Sequence, residues 1–345
     1  MFKINPLSIF IPRSPINQVF ESRDIDFLNK NQDKLKDENF FNIIKSKSLS
    51  NIRSKWKSNR LNGNYHYHLN KYYLLDIESE KSFFRGILCG LSSEILKQNL
   101  IVPHEKVFNK RVEILKNYLN EVKIQAEPVV FAANFTKGLI DHIKLSISNK
   151  PIIKFNYKKK KYTIRAIELS DSINKFSRFY IVDGHHRTES LKLLSEESKK
   201  ECQLLTFITD ISYIKSDKFT WKVSNPSINL INKIKKLEST NLAPSFNSFW
   251  VTYQGKKYIF KESDLDKLSI FNLEKWIINS GDKIKRCYYK NIDKKSNSLN
   301  SIIFNYPSVT FNEVINFTKK NLLFPQKTTF LEPKMLTGLT IYELC

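Results

Sequence analysis

Apolar and polar positions alternate in short runs along most of the 345 residues, with a few stretches of helical spacing between them. Residues 1–70 are the polar exception, rich in Asn and Lys, with one helical pattern near Leu35–Ile44. Strand-like runs follow at 72–77 (YYLLDI) and 83–89 (FFRGILC). From about Glu105 to Lys123, the apolar positions Val107, Val112, Ile114, Leu115, Leu119 and Val122 fall mostly on one side of a helix. Pro128 opens a short apolar strand, PVVFAA, and 136–147 reads as a helix. IIKFNY and KYTIRAIEL predict a hairpin joined by the Lys158–Lys160 run, a solvated turn and not a binding site. FSRFYIV (176–182) predicts a strand, 188–200 a helix that buries Leu191 and Leu194, and 203–211 another strand. Strand, turn, helix and strand in that order form the unit of an α/β fold. Beyond it, short strands alternate with helices near 227–238, 263–279 and 311–321, without internal repeats or a long linker. The expected class is α/β, in the mixed α+β sense.

Composition excludes several classes. With 41% hydrophobic residues and a mean hydropathy of −0.39, the chain is neither a disordered tail nor a membrane protein. No run of about 18 apolar residues occurs. The start, MFKINPLSIFIPRSP, holds one short apolar run broken by prolines, unlike a signal peptide, so a cytoplasmic location is expected. The formal charge of +23 points first to nucleic acid. Three features weaken that reading. Only 10 of the 57 basic residues are Arg. The 33 Asn, with Ile similarly inflated, indicate a codon bias toward A and T. The basic residues are also dispersed, with no basic arm or tail, so a nucleic-acid partner is not expected. Cys89, Cys202, Cys287 and Cys345 lie far apart, which argues against a zinc ribbon or a disulfide framework.

Glycine is scarce, 8 in 345, so a glycine between a strand and a helix is informative. Gly184 sits in Asp183-Gly184-His185-His186-Arg187, which concentrates two of six histidines and one of ten arginines on one turn. Gly184 permits positive φ or a close backbone approach, and the following N–H groups face the positive end of a helix dipole. Such a turn suits a phosphate, which Arg187 can grip through two parallel hydrogen bonds. Asp183 is read as a ligand for Mg²⁺, as a proton acceptor, or as an N-cap with the histidines on the surface. Zinc on the adjacent histidines is not favoured, because neighbouring helical side chains diverge by roughly 100°. His104-Glu105 opens the long helix, where Glu105 is either dipole compensation or a catalytic carboxylate. His66 and His68 share one strand face and lack an evident third ligand. Lys327 and Lys334 mean little alone in so lysine-rich a chain.

Four blocks in order carry a family resemblance: PHEKVFNKRVEILKNYL (103–119), EPVVFAAN (127–134), YIVDGHHRTESLKLL (180–194) and FPQKTTFLEPKMLTGLTIYEL (324–344). They resemble family 1015 of the domains of unknown function, which looks like a branch of the ParB/sulfiredoxin-like superfamily. The resemblance implies a core with a mixed sheet and additional N- and C-terminal elements. The implied organisation is a weakly defined segment 1–70, a core 71–215 and a C-terminal lobe 216–345. The tail 324–344 would return to the core, the alternative being that the whole forms one compact unit. Relatives include kinases acting on free L-serine, some similar ones pyrophosphate-dependent. The resemblance therefore implies phosphoryl transfer to a small hydroxyl compound, best matched by L-serine giving O-phosphoserine. The alternative is a ParB-like nucleotide-binding switch without turnover. A nuclease would require a more acidic metal cluster.

On the kinase reading, pyrophosphate, ADP or ATP would lie against Gly184, His185, His186 and Arg187. Mg²⁺ would bridge its oxygens and touch Asp183, and Lys327 and Lys334 would add positive charge. The base would be Glu105, beside His104, or Asp183, with Glu332 a weaker third. This chain departs from the family in reading NKRVEI after HE, where relatives carry a more acidic run. It also has Trp221-Lys222 where relatives often show a His-Arg pair.

Overall fold

The computed structural model describes residues 2–22, 25–30, 35–217, 219–240, 250–259, 274–275, 277–288, 300–305, 309–320, 322–324 and 330–344. They divide into two compact units. The first comprises Met1–Pro103, Val107–Ile214 and Pro333–Cys345, and the second His104–Lys106 and Lys215–Glu332.

The elements of the first unit used below are β1 (Leu7–Pro12), α1 (Leu49–Leu61), β2 (Tyr65–Ser79), β3 (Ser82–Ser92), β4 (Ile101–Val102) and α2 (Asn109–Val122). They continue with β5 (Val129–Ala133), α3 (Lys137–Ser146), β6 (Ile153–Tyr157), β7 (Lys160–Ile167), β8 (Phe179–Asp183), α4 (His185–Ser198) and β9 (Gln203–Asp210). One nine-stranded sheet has the order β4-β8-β5-β9-β3-β2-β7-β6, with β1 paired to β2 off that path. The sheet is mixed: β8 runs parallel to β4, and β9 parallel to β5, while the other pairs are antiparallel. The α/β class read from the sequence is the one observed.

Burial explains the strand patterns. All five residues of β5 are buried, as expected of an apolar run inside a sheet covered on both faces. The long β2 changes character along its length: Tyr72–Ile77 is buried, whereas most of its polar first half is not. That first half pairs with β1, placing His66 opposite Ile11 and His68 opposite Ile9. The β6–β7 hairpin turns at Lys158 and Lys159, both at positive φ.

Helices α2 and α4 pack closely because α4 presents small residues to its neighbours. Thr188, Ser190 and Ser195 are buried with Leu191 and Leu194. Ser190 Oγ donates to His186 O and Val112 O, which satisfies the buried hydroxyl. A second apolar cluster, including Phe10, Phe40, Trp56 and Tyr65, lies beneath α1.

In the second unit, a six-stranded antiparallel sheet orders Glu238–Thr240, Lys256–Ile259, Trp250–Tyr253, Ser301–Asn305, Phe219–Ser224 and Lys285–Tyr288. Trp221 is fully buried in it. Helices Ile228–Lys235 and Phe311–Thr318 belong to the same unit, the latter starting at a Thr310–Glu313 capping box.

Several boundaries differ from the sequence reading. The first helical pattern shortens to Phe40–Ile44. Helix α2 begins at Asn109, not near Glu105, because Glu105 forms an extended bridge with Phe324. Helix α4 begins three residues before 188, directly after Gly184. Helix α1 and strand β1 were not read from the sequence at all. Most of the helix expected over 263–279 lies outside the described residues.

Candidate functional site

The site is built on the turn between β8 and α4. The pairing of β8 with β5 slips between Ile181 and Asp183, and such a bulge re-aims the residue at the strand end. Gly184 follows at φ 101°, ψ 26° and serves as the N-cap of α4. Any Cβ there would lie 2.9 Å from Val129 Cγ2 of β5, so both backbone conformation and space require glycine. Asp183 is thus not the N-cap, and α4 starts without a side-chain cap or an acidic residue in its first turn.

Asp183 is instead held by two cations. Arg187 Nη2 donates to its Oδ2 at 2.6 Å, and Lys334 Nζ to its Oδ1. Burial pushes the carboxyl upward, but Lys334 and then Arg187 outweigh it and bring the pKa down to about 2. Arg187 is committed further: Nη1 donates to the carbonyls of Glu127 (2.6 Å) and Pro128 (3.1 Å), and Nη2 lies 3.0 Å from Glu127 Oε1. Thr337 Oγ1 fixes the other oxygen of Glu127 at 2.6 Å. Arg187 therefore fastens the turn to the start of β5, with both terminal nitrogens occupied.

His186 ties this turn to a second helix start. Its Nε2 accepts the backbone N–H of Phe108 at 3.0 Å, and the two rings stack 6.1 Å apart. The acceptor role assigns the remaining proton to Nδ1. Burial, then the charge of Arg111, lowers the His186 pKa to about 4, so the ring is neutral at pH 7. Phe108 is the N-cap of α2, which also lacks a side-chain cap and a first-turn acid. Its first turn carries Lys110 and Arg111. Two helix N-termini thus meet at one place, and each leaves first-turn N–H groups without an acceptor inside its helix. His185 lies on the same turn, close enough for its charge to act on Asp183.

Of the residues expected from the sequence, Asp183, Gly184, His185, His186, Arg187 and Lys334 come together in the first unit. His104 and Glu105 belong to the second. There His104 is buried, its Nε2 lies 3.8 Å from Glu105 Oε1, and its carbonyl accepts from Phe324 N–H at 2.7 Å. Glu332 also belongs to the second unit, in a strand paired with Lys215–Asp217. Lys327 lies outside the described residues. The sequence reading missed Phe108, Lys110, Arg111 and Glu127 as parts of the arrangement. A helix opening NKR, with no acid in its first turn, was the available signal.

A metal would find few ligands here. Both oxygens of Asp183 are taken by cations. Among the described residues, no three His, Cys, Asp or Glu side chains form a cluster able to hold an ion. Among the same residues, no helix is long and apolar enough to cross a membrane.

Comparison with known proteins defines the class. The family described as "Protein of unknown function (DUF1015)" matches residues 35–214, more than half of the chain, and the chain belongs to that family. No curated protein matches. Among solved structures, SbnI with a C-terminal truncation from Staphylococcus aureus is similar at a TM-score of 0.46 and 14% identity, over 71% of this chain and 82% of that one. A free serine kinase in complex with AMP is similar at 0.42 and 13%, over 72% and 90%, and a variant of it in complex with ADP is similar as well. A conserved hypothetical protein from Pyrococcus furiosus gives 0.40 and 14%, over 72% and 94%.

Proposed function

We propose that the turn after β8 binds the donor in a phosphoryl-transfer site, and that the protein is a small-molecule kinase. The donor would be pyrophosphate or a nucleotide such as ADP or ATP, and the acceptor a hydroxyl compound, with free L-serine the leading candidate. One observation carries this reading: α2 and α4 begin side by side, joined by the Phe108–His186 bond, both without a side-chain cap or a first-turn acid. Two such ends offer N–H donors and partial positive charge to one ligand. Lys110, Arg111 and His185 add charge and donors around it. Phosphoryl transfer needs chiefly this kind of positioning and neutralisation. The HE, DGHHR and closing blocks support the choice of reaction by resemblance, which fold alone does not determine.

Gly184 lets the phosphate approach the backbone. His186, neutral, orders the two helix starts. Asp183 and Arg187 hold the turn in shape, and Lys334 balances the carboxylate. Asp183 is too acidic to accept a proton well at pH 7. Glu105, with His104 beside it, is the proposed base on the strength of the HE block. Lys327 is a proposed phosphate ligand on the resemblance of the closing block. Mg²⁺ would accompany the donor as its counterion, because no resident metal site fits the described residues.

The paired helix starts would hold a nucleotide equally well without turnover, which gives a second reading, a nucleotide-binding switch. Phosphorus NMR separates the two. The full chain is incubated with Mg²⁺, serine, and pyrophosphate, ADP or ATP in turn. A phosphoserine resonance with any donor supports the kinase. Donor binding without product supports the switch, and neither binding nor product removes both.

A further inference from the structure

The parallel pair α2 and α4 leads from the proposed donor site to a second, separate feature. Phe108 meets His186 at their start, Val112 meets Ser190 one turn on, and Lys123 and Lys200 line one cavity at their ends. Fourteen residues of α4 at 1.5 Å per residue set the two places roughly 20 Å apart. The cavity measures about 480 Å³, within the range of small-molecule pockets. Its third wall is α1, which contributes Arg53, Lys57 and Arg60, with the indole of Trp56 beneath.

The lysines at the ends of α2 and α4 have an ordinary explanation, since cations there offset the helix dipoles. The cations of α1 do not. Arg53 and Lys57 stand at i and i+4, and Lys57 and Arg60 at i and i+3, so like charges are stacked along one face, an arrangement that destabilises a helix. Helix α1 contains no acidic residue to relieve them. Among the described residues lining the cavity, the one side-chain carboxylate, Glu343, is already bound by Arg60 through both oxygens (3.0 and 2.7 Å) and by Trp56 Nε1 (2.6 Å). Local arrangements that cost stability without compensation are expected at functional sites.

We propose that this cavity binds a small molecule bearing several phosphate charges, such as a polyphosphate or the phosphate tail of a nucleotide, at a site distinct from the DGHHR turn. Arg60, fixed by Glu343, presents a preorganised guanidinium. Arg53, Lys57, Lys123 and Lys200 approach from three elements, a spread that suits several phosphates better than one carboxylate. The common wall formed by α2 and α4 gives the ligand a physical connection to the donor site.

Calorimetric titration of the full chain with tripolyphosphate at physiological salt tests this. Arg53→Ala/Lys57→Ala alters two exposed side chains and relieves the stacked like charges, so the melting temperature should hold or rise slightly while affinity at this site falls about tenfold or more. Lys110→Ala/Arg111→Ala should leave that component intact, which separates it from the donor site. Lys150→Ala/Lys154→Ala removes the same charge from exposed positions elsewhere and should also leave it intact. Unchanged binding in Arg53→Ala/Lys57→Ala, or equal weakening in the charge-matched control, would overturn the proposal. Tighter binding of a single-stranded oligonucleotide, lost in the same variant, would also overturn it by making the cavity part of a nucleic-acid surface.

Discussion

Asp183 closes strand β8 and Arg187 completes the first turn of α4, and the 2.6 Å bond between them spans the glycine that separates the elements. The same guanidinium reaches the carbonyls of Glu127 and Pro128, so one side chain fastens strand, helix and neighbouring strand. The shape of the anion-facing turn therefore depends on a charged clamp behind it. Asp183→Asn and Arg187→Ala should both weaken donor binding and destabilise the fold, by about 1–3 kcal/mol, because each removes one charged member of a partly buried network in which Asp183 keeps only Lys334 or Arg187 only Glu127 as its charged partner. Urea unfolding with donor titration checks this. Full stability together with lost binding would mean that Arg187 contacts phosphate directly.

Acid should loosen the clamp. Asp183 titrates near 2 in the fold and at the ordinary carboxylate value of 3.8 when unfolded. The unfolded chain thus takes up the proton first, so the stabilisation is complete above 3.8 and disappears as pH falls through 2. Its size is on the order of 2 kcal/mol. The Asp183→Asn variant should show a flatter decline in stability over that window.

His186 should dominate a higher window. Its pKa is held near 4 against the ordinary 6.5, so the fold favours the neutral ring. The stabilisation is complete above 6.5 and is lost progressively as pH falls toward 4, as protonation removes the acceptor for Phe108 N–H. Imidazole NMR should find the His186 ring neutral with its proton on Nδ1 at pH 7. An ordinary titration near 6.5 would contradict the assignment.

Gly184→Ala should cost about 1–3 kcal/mol through positive φ and the contact with Val129. Adding Val129→Ala removes the steric part alone, so the double variant should recover only partly after allowance for the loss in Val129→Ala itself. Full recovery would show that the backbone conformation was not limiting.

Lys110 and Arg111 sit in the first turn of α2, where cations oppose the helix dipole. Arg111→Glu should raise the melting temperature by roughly 1–3 °C while weakening donor binding. Gain of stability with loss of binding is the signature of a residue placed for a ligand. A loss of both would assign Arg111 a structural role.

The sequence was most legible where local chemistry was dense. Asp183-Gly184-His185-His186-Arg187 stood out because rare residue types crowd one turn between apolar runs, and the glycine does adopt the conformation that only glycine tolerates well. Helix α1 was hidden because only Ile52 and Trp56 are buried among its 13 residues, too few to mark a period. Strand β1 looked like an isolated apolar run; its pairing with the polar start of β2 about sixty residues away makes it a strand. The start of α2 was misplaced because a bridge to Phe324, far along the chain, keeps Glu105 extended. The contact of Lys334 with Asp183 spans 151 residues, and no local pattern could reveal it. Only the order of family-like blocks drew attention to that lysine.

In the proposed site two helix starts jointly hold a phosphate. Backbone amide NMR of the full chain during titration with magnesium pyrophosphate, and then magnesium ADP, addresses it most directly. The largest shifts should fall on the N–H groups of Asn109, Lys110, His186 and Arg187, saturating together. Shifts at saturating donor that leave these four amides unmoved would contradict this.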